Sequence, residues 1–118
     1  MKPEEIEHIK LMDWIRSKKE LAQYTIHVAN ERATSPAQGA KLKRMGVRSG
    51  VSDLFIGVPK GDYNGMWLEL KAGKNKPTDN QFKFMEDMSS QGYYCVWCSG
   101  FPDAKMLIED YLKKPSLK

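Results

Sequence analysis

The pattern of apolar and polar residues predicts a small α/β fold. Apolar residues recur at helical spacing through residues 4–18, directly after Pro3, which suits a first helical turn. Residues 23–29, 52–58 and 66–72 are rich in β-branched and aromatic residues, and we expect each to form a strand. This part of the chain is therefore predicted to form one helix and three strands.

Turn and cap residues divide the rest of the chain. Proline and glycine bound a short helix within residues 36–46, and a threonine caps another helix over 78–90. A strand over 93–98 and a helix over 103–112 follow. The link PKGDYNG carries turn residues, so the strands on either side of it are expected to form a hairpin.

The composition is that of an ordinary globular domain, with 41% hydrophobic and 29% charged residues. We expect one domain over residues 1–118, an α/β fold with about four strands in the order α-β-β-β-α-β. The longest apolar run is far shorter than the roughly 20 residues that span a bilayer. Charges fill the N-terminal segment where a signal peptide needs an apolar stretch. A cytoplasmic protein without a membrane partner is expected.

The positive charge is concentrated in one central segment. The chain has a formal net charge of +4, yet residues 32–52 contain five cations and no acid: Arg32, Lys41, Lys43, Arg44 and Arg48. Such a concentration is typical of a protein that contacts a polyanion, although a solvated helix face is the alternative. The residues predicted to contact such a polyanion are Lys41, Lys43, Arg44, Arg48, Lys74 and Lys76.

Charged residues interrupt two predicted strands where apolar residues are expected. Alternation places Leu68 and Leu70 on one face of the third strand and Glu69 and Lys71 on the other. The hairpin would bring Asp53 close to Glu69, and two such carboxylates repel unless a cation lies between them. A hard divalent cation prefers such oxygen ligands, and Lys71 could stabilise negative charge or orient water. The alternative is a surface salt bridge of Lys71 with either acid.

Three segments together resemble the VRR-NUC domain of the PD-(D/E)XK nuclease superfamily. They are Gly46-Val47-Arg48-Ser49-Gly50-Val51-Ser52-Asp53-Leu54, Gly65-Met66-Trp67-Leu68-Glu69-Leu70-Lys71, and Gln81. The set Asp53…Glu69-x-Lys71 resembles the superfamily signature, and the long ungapped string before Leu54 is more specific than that signature. Ser52 stands where the superfamily's name expects proline. The resemblance covers about residues 4–112 and is greatest to small standalone members from bacteriophages and bacteria.

The resemblance implies a restriction-endonuclease-like core and a divalent metal, Mg²⁺ or Mn²⁺, without an organic cofactor. It implies that Asp53 and Glu69 bind the metal through their carboxylates and that Leu70 adds its main-chain carbonyl. Lys71 would position the nucleophilic water or stabilise the pentavalent phosphate. Gln81 is similar to the family's helix glutamine, which faces the active site.

The resemblance further implies that an acid from the first helix joins the metal site. Glu4 is favoured because it stands four residues before His8, a spacing at which family members often show Glu and Gln. Glu5 and Glu7 are the alternatives.

The function that these residues imply is metal-dependent DNA endonuclease activity in the cytoplasm of a bacterial or phage-infected cell. Similarity to small standalone relatives implies a homodimer that cleaves four-way (Holliday) junctions, since paired cuts need two active sites. A flap-cleaving or restriction-like nuclease is one alternative. A non-catalytic nucleic-acid-binding module is another, although it gives no reason to keep Asp53, Glu69 and Lys71 together.

Several other residues are of types that often bind metals or catalyse reactions, but they are predicted to be structural. Cys95 and Cys98 have the spacing of a metal knuckle, but no second cysteine or histidine pair follows them. We expect both to be buried structural cysteines. His27 is predicted to be a sheet residue rather than a base. The seven methionines are predicted to fill the core.

Overall fold

The computed structural model describes residues 1–29 and 34–116, so Arg32 of the basic segment lies outside the described ranges. The helices are α1 (Pro3–Arg16), α2 (Lys19–Tyr24), α3 (Pro36–Arg44), α4 (Asp79–Ser89) and α5 (Phe101–Leu112). The strands are β1 (Thr25–His27), β2 (Leu54–Ile56), β3 (Met66–Lys71) and β4 (Tyr94–Ser99). The element order is the predicted one with α2 added. Within the described ranges, no helix combines the length and the hydrophobicity needed to cross a membrane.

The prediction of a strand over 23–29 is wrong in its first part. Residues 23 and 24 belong to α2, and the strand begins only at Thr25. Leu21 is buried, which fixes this short helix against the core. The Thr25 hydroxyl donates a hydrogen bond of 2.7 Å to the Leu21 carbonyl, so it occupies an acceptor at the helix end. Local packing thus overrides the β propensity of Tyr24.

Hydrogen bonds join the four strands in the order β1-β2-β3-β4. The first two pairs are antiparallel and the pair β3–β4 is parallel, so the sheet is mixed. The predicted hairpin is confirmed: Leu54 pairs with Leu68 and Phe55 with Trp67. One step further along the same register places Asp53 beside Glu69.

The two faces of the sheet have different roles. One face packs against α1 and α5 and forms the core: Leu11, Ile15, Leu21, Leu54, Ile56, Met66, Leu68, Leu70, Cys98, Ala104, Ile108 and Tyr111. Helix α4 covers part of the other face, where Phe84 meets Trp67 edge-on at a centroid distance of 5.0 Å. Strand alternation places Glu69 and Lys71 on this second face. The core residues of β3 therefore anchor the strand that carries Glu69 and Lys71.

Candidate active site

Three acidic side chains from separate parts of the chain meet at one end of the sheet. Glu4 lies in the first turn of α1, Asp53 directly precedes β2, and Glu69 lies within β3. One carboxylate oxygen from each lies within 4.8 Å of the others. Glu69 is buried, whereas Glu4 and Asp53 are partly exposed. Three oxygen donors at this separation suit one small, hard cation.

The main chain of both neighbouring strands fixes Asp53. The Leu70 N–H donates a hydrogen bond of 2.8 Å to Asp53 Oδ2. The Asp53 carbonyl accepts a hydrogen bond of 2.8 Å from the Val28 N–H. Backbone donors hold a carboxylate in one orientation without the entropy cost of ordering a second side chain. The metal-ligand role of the Leu70 carbonyl stays a prediction.

The surroundings of Glu69 favour a cation. Its Oε2 lies 3.5 Å from Lys71 Nζ and accepts a hydrogen bond of 3.3 Å from Gln81 Nε2. Its Oε1 is buried, and no N–H or hydroxyl of the described residues donates to it. Burial raises the pKa of Glu69 to about 8, and the adjacent Asp53 carboxylate adds to the rise while Lys71 opposes it. Closely spaced carboxylates with an oxygen that lacks a donor fit a hard divalent cation.

Lys71 is not part of a solvated surface salt bridge. Its side chain is 11% exposed and that of Glu69 is 1% exposed, so both charges lie inside the protein. Burial of a charged pair costs free energy unless the groups are well compensated. The alternative of a surface pair is therefore wrong for Lys71 and Glu69.

A helix cap presents Gln81 to Glu69. The Thr78 hydroxyl accepts from the Gln81 N–H, and Gln81 Oε1 accepts from the Thr78 N–H at 2.8 Å. This capping box orients the amide, so that its Nε2 points to Glu69. Gln81 therefore faces the acidic cluster, as predicted.

Of the three candidate glutamates in α1, only Glu4 reaches the other carboxylates. Glu5 accepts a hydrogen bond from the Lys2 N–H at 3.1 Å and so caps its own helix. Glu7 accepts a hydrogen bond of 2.8 Å from the Phe101 N–H at the start of α5, which lowers the pKa of Glu7. Glu5 and Glu7 are thus occupied in helix capping.

The acidic cluster forms one side of an open cleft of about 1050 Å³. Helix α3 and the loop after it form the opposite side, and both Lys43 and Arg48 line it. Arg48 is also held by α4, because its Nη2 lies 2.7 Å from Asp87 Oδ2. The other four predicted contact residues are exposed but do not line the cleft: Lys41, Arg44, Lys74 and Lys76.

Packing against α4 fixes the loop 46–53, which could not be predicted from the sequence. Gly50 has φ +86° and lies so close to α4 that a Cβ there would approach the Asn80 carbonyl oxygen to 2.4 Å. Asn80 Nδ2 also donates a hydrogen bond of 3.1 Å to Ser49 Oγ. The loop that ends in Asp53 and the helix that carries Gln81 are therefore packed together. A glycine in that loop was the only sequence signal.

His8 also lies near the site without having been singled out as functional. Its ring centroid is 4.4 Å from that of His27, which is an exposed residue of β1. Burial lowers the pKa of His8, and the neighbouring His27 lowers it further. The pair joins α1 to the edge strand, which agrees with the prediction of a sheet role for His27.

The predictions for sulfur residues are confirmed in part. Cys98 is buried as predicted, whereas Cys95 is only half-buried. Burial raises the pKa of Cys95 to about 11 and that of Cys98 to about 12, which favours the neutral thiol in both. Among the methionines, Met66 and Met85 are in the core. The prediction is wrong for three others, since large parts of their side chains are exposed: Met1, Met45 and Met106.

The mixed sheet with flanking helices, together with Asp53 and the Glu69-x-Lys71 triplet, is consistent with the PD-(D/E)XK class of nuclease folds. The sequence profile of the VRR-NUC domain matches residues 2–102. The chain therefore belongs to the VRR-NUC domain family, a family of nuclease domains.

A solved structure supports this assignment over the full chain. It is described as a VRR_NUC domain protein, is 28% identical, and superposes with a TM-score of 0.87. The match covers 100% of this chain and 94% of the other. No curated protein matches the sequence. The predicted family and fold class are confirmed.

Proposed function

We propose that this nuclease domain is a divalent metal-dependent endonuclease that hydrolyses DNA phosphodiester bonds. One observation supports this proposal above all: carboxylate oxygens of Glu4, Asp53 and Glu69 lie within 4.8 Å of one another. Lys71 Nζ lies 3.5 Å from Glu69 Oε2. These groups line the same cleft as the cations Lys43 and Arg48. The acids suit a metal and the cations suit a phosphate backbone.

Each residue of the cluster has a role that follows from its position. Glu4, Asp53 and Glu69 would hold Mg²⁺ or Mn²⁺, which when bound polarises a phosphate and lowers the pKa of a water. Lys71 presents an ammonium group where negative charge develops on the phosphate as water attacks phosphorus and the ester P–O bond breaks. Gln81 keeps Glu69 oriented. The attacking water loses a proton to solvent in the open cleft, and the departing ester oxygen takes a proton from solvent.

The DNA is bound through its backbone. Lys43 and Arg48 neutralise phosphates inside the cleft, and the exposed cations beside it extend that contact: Lys41, Arg44, Lys74 and Lys76. Contacts of this kind position a strand without reading its sequence. This favours recognition of DNA structure over recognition of a base sequence.

The substrate that we propose is a four-way DNA junction cleaved by a homodimer. The chain offers one acidic cluster in its described residues, and a junction is resolved by two cuts in symmetry-related strands. A two-fold dimer supplies two such sites in fixed relation. Similarity to small standalone members of the family supports the same assembly.

A cruciform plasmid tests the paired cuts. Wild-type dimers should give linear product, whereas dimers mixed from wild-type and Lys71→Ala subunits should give nicked circles. Differently tagged subunits allow the mixed dimer to be purified. A monomer in light scattering at assay concentration, together with faster cleavage of flaps, would contradict the junction proposal and favour the flap nuclease.

A panel of labelled junction, flap and linear DNAs, with and without Mg²⁺ or Mn²⁺, tests the chemistry itself. Metal-dependent cleavage of at least one substrate supports the proposed nuclease. Cleavage of linear DNA at one sequence would favour the restriction-like alternative. Binding without cleavage in either metal would favour the non-catalytic module.

A further inference from the structure

An exposed apolar tip lies at the end of α3, beside the cleft. The tip consists of Leu42, Met45 and Val47. Met45 is 70% exposed and Val47 is 42% exposed, whereas Leu42 is half-buried. Leu42 and Val47 line the same cleft as the acidic cluster. Exposed apolar side chains that are grouped beside a candidate active site form a candidate interaction surface, whereas singly scattered ones do not.

The main chain holds the tip in a defined shape. The Val47 N–H donates to the Leu42 carbonyl and the Gly46 N–H to the Lys43 carbonyl, each at 3.0 Å. These two bonds form a Schellman motif, which brings Leu42 and Val47 together at the end of α3. Gly46 has φ +95°, a conformation that glycine adopts without strain. Met45 is therefore presented at a fixed turn.

The surroundings of the tip are strongly basic. Lys41, Lys43 and Arg44 belong to the last turn of α3, and Arg48 follows the motif. Within residues 1–29 and 34–116, Arg48 is the one cation of this group that forms an ion pair, with Asp87. An apolar residue surrounded by cations matches the chemistry of DNA, whose base faces are apolar and whose backbone is anionic.

We propose that Met45 is a wedge that contacts unstacked bases of the DNA strand whose backbone lies in the cleft. The inference rests on the proposed nuclease function and adds to it a reason for selecting DNA with unpaired or unstacked bases. Lys43 and Arg48 hold the phosphates, and the Met45 side chain fills the space that opens between bases at a branch. Apolar side chains inserted between base steps act in this way in other DNA-binding proteins.

Contact with a second copy of the chain is the competing explanation for the exposed methionine. Two tips brought together by a two-fold axis would also bring together both sets of the cations Lys41, Lys43, Arg44 and Arg48. Such like charges repel at short range, whereas the same charges attract DNA. The charge around Met45 thus favours DNA as the occupant.

The test uses a four-way junction with 2-aminopurine at the branch, because this base fluoresces more strongly when it is unstacked. Asp53→Asn protein serves as the background, so that DNA is bound without being cut. Met45→Gln keeps the length of the side chain and makes it polar. Met106→Gln is the matched control, since Met106 is likewise an exposed methionine, 55% exposed, and lies on α5.

The wedge predicts that binding raises the fluorescence, and that Met45→Gln reduces this rise about two-fold or more at saturating protein. Met106→Gln should leave it unchanged. An equal rise with Met45→Gln would overturn the wedge. So would sedimentation showing that Met45→Gln, but not Met106→Gln, turns a dimer into a monomer.

Cleavage by the protein with Asp53 intact separates this inference from the proposed function. Wild type that cuts no DNA in Mg²⁺ or Mn²⁺ contradicts the nuclease proposal and, with it, the wedge. If both proteins cut DNA and the ratio of the junction rate to the linear-DNA rate is the same for Met45→Gln as for wild type, the wedge alone is contradicted. The wedge predicts that Met45→Gln loses rate on the junction and keeps its rate on linear DNA.

Discussion

Two lysine–carboxylate pairs in this protein differ in burial, and the buried pair is the one in the candidate active site. Lys83 Nζ lies 2.7 Å from Asp87 Oδ1 on the outer face of α4, with side chains 63% and 35% exposed. Lys71 Nζ lies 3.5 Å from Glu69 Oε2, with side chains 11% and 1% exposed. The shorter pair is the weaker indicator of function, because water and salt screen it.

The pKa shifts of the two carboxyls run in opposite directions. Lys83 and Arg48 hold the pKa of Asp87 below its usual value, as expected for an acid among cations. Burial and the nearby Asp53 raise the pKa of Glu69 to about 8 despite Lys71. Perturbation by burial and by a like charge, within a cleft, is typical of functional sites. The difference indicates that Lys71 compensates the charge of Glu69 less fully than Lys83 and Arg48 compensate that of Asp87.

The largest expected effect is that of Asp53→Asn. The substitution keeps the shape of the side chain and removes a charge from the acidic cluster, so cleavage in Mg²⁺ should fall below detection. DNA affinity should stay equal or rise, because a negative charge near the backbone is lost. Gel-based cleavage and binding assays measure both. Asp62→Asn is the control, since Asp62 is an exposed acid of the β2–β3 turn; normal cutting by Asp53→Asn would show that the assigned site is wrong.

Lys71→Met should reduce the cleavage rate by about 100- to 1000-fold, the range measured when one group that stabilises transition-state charge is removed. The substrate affinity should change little, because the buried ammonium faces Glu69 rather than the outer backbone. Single-turnover kinetics separates the two quantities. A loss of affinity with an unchanged rate would instead make Lys71 a binding residue.

Lys43→Ala should weaken binding to a similar degree on all DNA sequences. The logarithm of the binding constant should depend less steeply on the logarithm of salt concentration, by about one unit of slope, because one phosphate contact is lost. Fluorescence anisotropy over a salt series measures the slope. Lys113→Ala is a matched control, since Lys113 caps α5 and lies outside the cleft lining. A loss confined to one sequence would point to base readout.

The smallest effect is expected for Lys83→Met, which breaks the shorter of the two pairs. Because the pair is exposed, the Tm should change by no more than about 2 °C, and cleavage should match that of wild type. Differential scanning fluorimetry and the cleavage assay measure these. A loss of cleavage comparable to that of Lys71→Met would contradict the contrast between the buried and the exposed pair.

The sequence was most informative where local chemistry decides the structure. The turn residues of PKGDYNG predicted the β2–β3 hairpin, and with it the approach of Asp53 to Glu69. Thr78 is a preferred N-cap residue, which predicted where α4 begins. Each of these features depends on a few neighbouring residues, so it can be recognised without the fold.

Features that depend on tertiary packing were not predictable. The choice of Glu4 over Glu5 and Glu7 depends on where α1 meets α5, and only family resemblance favoured it. Helix α2 forms because Leu21 reaches the core, although Tyr24 at its end has β propensity. Met45 was assigned to the core by residue type alone, and only the position of α3 shows that it is exposed.

The most direct test of the account is calorimetric titration of Mn²⁺ into the DNA-free protein, because the central claim is that Glu4, Asp53 and Glu69 form one metal site. Wild type should bind Mn²⁺ in a saturable manner, and Asp53→Asn and Glu4→Gln should each weaken that binding by about 10-fold or more. Glu5→Gln, which alters an adjacent helix-capping acid, should bind as wild type does. Equal Mn²⁺ binding by wild type, Asp53→Asn and Glu4→Gln would contradict the account.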